Sequence, residues 1–267
     1  MWGVLKSFAG VALSALFAST AQASAWNPEA WHGEIISAQV FLSADSASNE
    51  FDQTFRLDQY SKTVTQTFAK LGLTDRLALI GTFDWQDATI VGPGVNVSFS
   101  DPSTVSFGLQ YQLRRKEGHA VALSASYFAG IDLPPKLLTI ENREPVVELR
   151  GLWGESRTWG GINLFAEAQM AGRLDLDGGY AGAFSQLTVG ADPLDRVKLI
   201  GKVRYTDVAG GVFENFPLAR QERVEVEGSV VYRLRGRNYV EIGYVSLVTG
   251  RNTVSESGLK LGVWTKF

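Results

Sequence analysis

Val105, Phe107, Leu109, Tyr111 and Leu113 occupy every second position of "STVSFGLQYQLR", with Thr104, Ser106, Gly108, Gln110, Gln112 and Arg114 between them. A period of two marks a strand with one dry and one wet face. After the polar stretch "RKEGH" the alternation resumes in "AVALSASYFAGI", which predicts a hairpin whose dry face continues across the turn. The same unit recurs in "GEIISAQVFL", "LALIGTFDWQD", "PVVELRGLW", "GINLFAEAQM", "AFSQLTVGA", "RVKLIGKVRY", "RVEVEGSVVYRL" and "YVEIGYVSLV". "KTVTQTFAKL" fits more weakly, and its facing is ambiguous. The chain ends in "SGLKLGVWTKF", where Leu259, Leu261, Val263 and Thr265 alternate with Lys260, Gly262, Trp264 and Lys266. The pattern predicts about twelve strands of roughly ten residues.

The connections sharpen the reading. Short turns at "GLTDR", "RRKEG", "GESRT", "DPLDR" and "RGRN" alternate with longer polar segments over residues 43–60, 87–103, 132–145 and 207–222. Short turns on one rim and long loops on the other predict an all-β, transmembrane, antiparallel up-and-down barrel with periplasmic turns and extracellular loops. A soluble β-sandwich also alternates, but its strands are usually shorter and need not step in this rhythm. Aromatics on the dry face fall at two levels, as membrane interfaces favour. Tyr111, Trp153, Tyr232 and Phe267 lie toward the short-turn rim, with Trp85, Tyr127 and Tyr205 toward the other. A closed barrel needs its last strand to pair with its first, which explains a chain that ends inside a strand.

The first 25 residues carry one early charge, Lys6, an apolar run from about Phe8 to Phe17, then small residues. This reads as a signal peptide, with cleavage after Ala23 or Ala25 both satisfying the small-x-small rule. Residues 26–267 then form a single domain. No later stretch approaches the ~20 apolar residues of a membrane-spanning helix. The chain has no Cys, which removes disulfides, zinc-thiolate sites and a cysteine nucleophile. A net charge of −3 and a pI near 5.5 argue against nucleic acid as a partner.

The closing strand, with Gly262 and alternating residues ending on aromatic Phe267, resembles the C-terminal signal of Gram-negative outer-membrane barrels. That resemblance implies the outer membrane as location, its lipid as surroundings, and the barrel-assembly machinery as a partner of the last strand. "AWNPEAWHGEIISAQVF" and "YSKTVTQTFAKLGLTDRLALIG" resemble the XagA-like barrel proteins of exopolysaccharide and adhesin gene clusters. This second resemblance implies a role in handling or exporting a surface polysaccharide.

The wet face would line the lumen. Its cations are Arg76, Arg114, Arg150, Lys198, Lys202, Arg204, Arg223, Arg233, Lys260 and Lys266; its acids are Asp84, Glu148, Glu167, Glu225, Glu227 and Glu241. An acidic chain with a basic interior suits anions or the acidic groups of oligosaccharides. The competing reading is that these side chains pair with one another and close a narrow barrel. Glu225 and Glu227 point the same way and suggest paired-acid chemistry, but Lys198, Lys202 and Arg204 on the preceding strand are placed to neutralise them. His32 and His119 fall at the short-turn rim and read as solvated groups rather than catalytic bases.

No cofactor or metal motif is present, and the expectation is a barrel that is not an enzyme. Its principal reading is a porin-like channel for small anions or acidic oligosaccharides, or an aid to exopolysaccharide export. The alternative is a non-conducting structural or adhesive barrel acting through its outer loops, such as "DLPPKLLTIENREP".

Overall fold

The alternation folds as its period dictates. The computed structural model describes residues 24–49, 51, 53–92, 95–129, 145–176, 180–208, 212–213, 216–217 and 220–267. Its strands in chain order are β1 Gly33–Ser43, β2 Ser46–Ser48, β3 Thr54–Arg56, β4 Gln59–Gly72, β5 Leu77–Gly92, β6 Val95–Lys116, β7 His119–Phe128 and β8 Val146–Trp159. They continue as β9 Ile162–Asp175, β10 Tyr180–Leu194, β11 Val197–Val208, β12 Val212–Phe213, β13 Phe216–Pro217, β14 Gln221–Arg233, β15 Asn238–Arg251 and β16 Ser257–Lys266. Twelve of them close into a barrel in which each pairs antiparallel with its sequence neighbour and β1 pairs with β16. The four shortest form two small hairpins, β2 with β3 and β12 with β13, on the long-loop side.

The closing seam accounts for the aromatic end of the chain. Ile36 lies opposite Trp264 and Val40 opposite Lys260. Beyond the last ladder pair, Gly33 and Phe267 exchange backbone hydrogen bonds, both at 3.0 Å. At the other end of the seam Gly258 faces Leu42, and a Cβ at Gly258 would strike the Phe41 carbonyl oxygen. The two backbones therefore meet more closely there than a side chain permits.

Burial is inverted relative to a soluble protein. Leu149 is 57% exposed and Ile242 59% exposed, whereas Lys260 and Glu241 inside the barrel are each 1% exposed. An apolar exterior on a closed sheet leaves no unpaired backbone facing lipid, the condition for a strand-built membrane span. The expected interface aromatics all point outward: Trp85, Tyr111, Trp153, Tyr232 and Phe267 are exposed, and Tyr127 and Tyr205 half-buried. Among the described residues no helix is long and apolar enough to cross a membrane.

Three expectations need correction. Residues 87–103 are not a long loop: β5 and β6 run on past the bulge between Asp84 and Trp85, and Ser100 faces Asp87 across the extended hairpin. "GESRT" is not a turn but the continuation of β8; the chain reverses at Gly160 and Gly161, whose φ angles of 58° and 82° suit a two-residue hairpin turn. The segment joining β9 to β10, on the long-loop rim, spans only residues 176–179, so the alternation of connection lengths is incomplete. The signal-peptide reading over residues 1–23, residues 132–144 of the loop quoted as "DLPPKLLTIENREP", and residues 209–211, 214–215 and 218–219 of the segment 207–222 lie outside the described residues.

The ambiguous strand is β4. Its outward positions are Ser61, Thr63, Thr65 and Thr67, while Tyr60, Lys62, Val64, Phe68 and Lys70 are buried inside. Small hydroxyl side chains face outward where apolar ones were expected. This is why hydrophobicity alone did not orient the strand.

Candidate functional site: the barrel lumen

Inward parity on neighbouring strands stacks side chains of opposite charge into one continuous ladder. Its upper end is Glu256, in the connection between β15 and β16, which accepts from Tyr60 Oη at 2.7 Å, from Lys62 Nζ at 3.5 Å and from Arg223 Nη2 at 2.5 Å. Arg223 also donates to Glu225 at 2.6 Å, and Arg204 reaches Glu225 at 3.2 Å and Glu227 at 3.6 Å. Lys202 and Lys260 both donate to Glu227 Oε1 at 2.8 Å. Lys260 then bonds Glu241 at 3.0 Å, and Trp264 Nε1 closes the ladder on Glu241 at 3.0 Å.

Burial opposes ionisation of Glu256, but the Lys62 ammonium and Arg223 guanidinium outweigh it. Together with the Tyr60 and Arg223 hydrogen bonds they hold the carboxyl down to about 2.

A second cluster lies on the wall made by β8 and β9. Glu148 accepts from Arg150 through Nε at 2.9 Å and Nη2 at 2.6 Å, and from Arg173 Nε at 2.9 Å. Arg150 also donates to Gln169 at 2.8 Å. Each guanidinium covers an aromatic ring, Arg150 over Phe184 and Arg173 over Phe128, both at 4.7 Å. Stacking and fork-like donation together fix both arginines against the wall.

The short-turn mouth holds chain. Residues 24–27 enter the barrel ahead of β1. Lys70 Nζ donates to the carbonyl oxygens of Ser24 at 2.8 Å and Trp26 at 2.9 Å. The Asn27 N–H bonds Gln112 Oε1 at 2.8 Å, and Gln110 Nε2 bonds both Ser24 O and Asn27 Oδ1 at 2.9 Å. Ala25 is buried against Ala120, Ala122 and Leu152, and the Trp26 ring covers Gly154, where a Cβ would collide with it. Beside this segment remains a cavity of about 270 Å³, lined in part by Ser24, Glu34, Glu167, Lys198 and Lys202.

Arg150, Lys202, Arg204, Arg223 and Lys260 are buried and ion-paired in the lumen, as are Glu148, Glu225, Glu227 and Glu241. Lys202 and Arg204 neutralise the Glu225 and Glu227 pair as expected. Lys198 does not: half-buried near the rim, it pairs with Asp192 at 3.4 Å and lies over the Phe165 ring at 4.5 Å. Glu167 is half-buried and accepts from Ser24 Oγ at 3.1 Å.

Four residues expected in the lumen are exposed. The bulge between Gln112 and Arg114 places Arg114 opposite Val121 on the outer face and moves Arg115 to the inner parity, where it donates to the Asn27 carbonyl at 3.2 Å. Arg233 keeps inward parity but sits at the last ladder position before the turn and is solvated. Arg76 and Lys266 are likewise exposed at that rim. His32 is exposed, and His119 stands edge-on to Trp153 at the same rim.

Lys62, Lys70, Arg173 and Glu256 were missed. Arg173 shares parity with Glu167 and Gln169, a usable signal. Lys62 and Lys70 were hidden by the uncertain facing of β4, and Glu256 by its position in a connection. With these counted, eight buried cations (Lys62, Lys70, Arg150, Arg173, Lys202, Arg204, Arg223, Lys260) meet six buried acids (Asp84, Glu148, Glu225, Glu227, Glu241, Glu256) in the interior among the described residues, while Asp207 is buried at outward parity against Arg220. The interior thus carries a small excess of cations, concentrated around Glu227 and Glu148.

No family model matches the chain, and no curated protein matches it. Among solved structures it resembles an outer membrane channel from Pseudomonas putida F1, with 13% identity, a TM-score of 0.70, and 90% of this chain and 96% of that one covered. It also resembles the translocator domain of the autotransporter NalP from Neisseria meningitidis, with 8% identity, a TM-score of 0.52 and 90% of each chain covered.

The expectation that the chain is not an enzyme is withdrawn. A shared barrel at such identity shows a fold, and a fold does not exclude an activity. What the apolar exterior, the polar interior and these likenesses establish together is an outer-membrane β-barrel of the Gram-negative kind.

Proposed function

We propose that the protein is an outer-membrane channel passing small anions through a narrow, charge-lined lumen. The observation that carries this reading is a set of inward polar atoms with no protein partner: Asp84 Oδ2, both amide atoms of Gln86, Gln110 Oε1 and Ser229 Oγ. Closed off as they stand, these groups are desolvated at a cost of about 1–3 kcal/mol each, and opening of the lumen to water would satisfy them. The fold likeness to an outer membrane channel supports the same reading.

Anion preference follows from local charge. Lys202, Lys260 and Arg204 converge on the single carboxylate of Glu227, and Arg150 and Arg173 on that of Glu148. Export of a polysaccharide, which the XagA-like resemblance implies, suits this lumen less well, because residues 24–27 fill part of the mouth a polymer would cross. Acidic mono- or disaccharides fit the same chemistry as inorganic anions. The barrel-assembly machinery is the partner we assign to β16.

Planar-bilayer recording tests the proposal. The purified barrel should conduct with anion preference, and Lys202→Glu should reduce that preference. Silence at all voltages would overturn the channel reading in favour of a structural or adhesive barrel, which the paired lumen and the segment in its mouth specifically favour.

A further inference from the structure

The sequence offers two cleavage bonds, after Ala23 and after Ala25. Cleavage after Ala25 would remove Ser24 and Ala25, which the barrel holds. The Ser24 carbonyl accepts from Lys70 Nζ at 2.8 Å and Gln110 Nε2 at 2.9 Å, and Ala25 is 1% exposed within the apolar cluster on β7 and β8. Both residues have sites built for them.

Glu167 supplies an independent observation. It faces the cavity beside Ser24 and accepts a hydrogen bond from the Ser24 hydroxyl at 3.1 Å. Among the described residues no cation lies within ion-pair distance of it, although the comparable carboxylates of Glu148, Glu225, Glu227 and Glu241 each have one or more. Glu34, the other acid of this cavity, has Lys266 at 3.8 Å. The missing charge lies three covalent bonds from that hydroxyl, at the α-nitrogen of Ser24, and it exists only once the chain begins there.

We infer that a signal peptidase hydrolyses the Ala23–Ser24 bond and that the freed α-ammonium of Ser24 pairs with Glu167 inside the barrel. Water is the co-reactant: its hydroxyl completes the Ala23 carboxyl group and its proton the Ser24 amine. Processing thus creates the cation that anchors the segment in the short-turn mouth. A precursor still carrying an amide at this position has no such charge. Lys70, bound to the Ser24 carbonyl, is close enough to repel the new ammonium, so the carboxylates of Glu167 and Glu34 are what make the site favourable.

Two measurements test the two halves, and neither reads conduction. Intact mass and N-terminal sequencing of protein purified from outer membranes should give Ser24 as first residue; a start at Trp26 or elsewhere overturns the assignment. For the ion pair, the N-terminal amine is acylated at neutral pH and followed by mass of the N-terminal peptide. Folded wild type should react about tenfold more slowly than urea-unfolded protein, the effect of one pKa unit. Glu167→Gln should restore most of the lost rate in the folded barrel. Equal rates in folded and unfolded wild type overturn the ion pair, even if Glu167→Gln fails to fold.

Discussion

Lys62 on β4 and Glu256 in the β15–β16 connection meet at 3.5 Å although 194 residues separate them in the chain. Barrel closure brings them together, because β4 and β16 flank β1 on its two sides. The contact ties the long-loop rim across the seam where the first and last strands pair.

Acid should loosen that rim in a defined window. Glu256 has an ordinary carboxyl value of 4.5 and is held down to about 2 in the fold, so its stabilisation is present above 4.5 and is lost as pH falls from 4.5 through 2. The expected loss is on the order of 3 kcal/mol. Unfolding of the barrel in detergent, followed by heat-modifiable gel migration across this range, should show the decline; Glu256→Gln should begin from the lower stability and lose the Glu256 part of it.

Glu227 is the carboxylate on which three cations converge. Glu227→Gln leaves Lys202, Lys260 and Arg204 with a neutral partner and should destabilise the barrel by about 3–5 kcal/mol, the usual effect of breaking a buried pair from one side. In those molecules that fold, the reversal potential under a salt gradient should move toward stronger anion selectivity. A shift toward cations would contradict the assigned role of this wall.

The segment in the short-turn mouth should limit flow. Trp26→Ala removes the ring that covers Gly154, and Asn27→Ala removes the side-chain donor to the Arg76 and Gln110 carbonyls and the acceptor of Gln110 Nε2. Each should raise single-channel conductance by about twofold or more, as widening a constriction does. Unchanged conductance in both variants would place the narrowest point elsewhere.

Seam geometry gives a stability test. Gly258→Val would push a side chain into the Phe41 carbonyl oxygen and should sharply reduce the folded, heat-modifiable fraction. Gly228→Ala is its control, since a Cβ there meets nothing within 4 Å, and should stay within about 0.5–1 kcal/mol of wild type.

Much of this was legible in the residues. Period-two alternation gave the twelve barrel strands, their dry and wet faces and the pairing of the last strand with the first, because a β-strand side chain has only two directions to point and lipid rewards one of them. Ladder members such as Lys202, Glu227 and Lys260 follow from that parity alone. Tertiary structure decided what parity cannot carry. The bulge at Gln112 and Arg114 turned Arg114 outward, since one extra residue inverts every later side chain. The register of β4 against β1 and β5 brought Lys62 and Lys70 inside despite an outer face of threonines. Above all, the return of residues 24–27 into the lumen depends on hydrogen-bond partners from β4 and β6, at positions far along the chain, and no local pattern records a contact that only the closed cylinder creates.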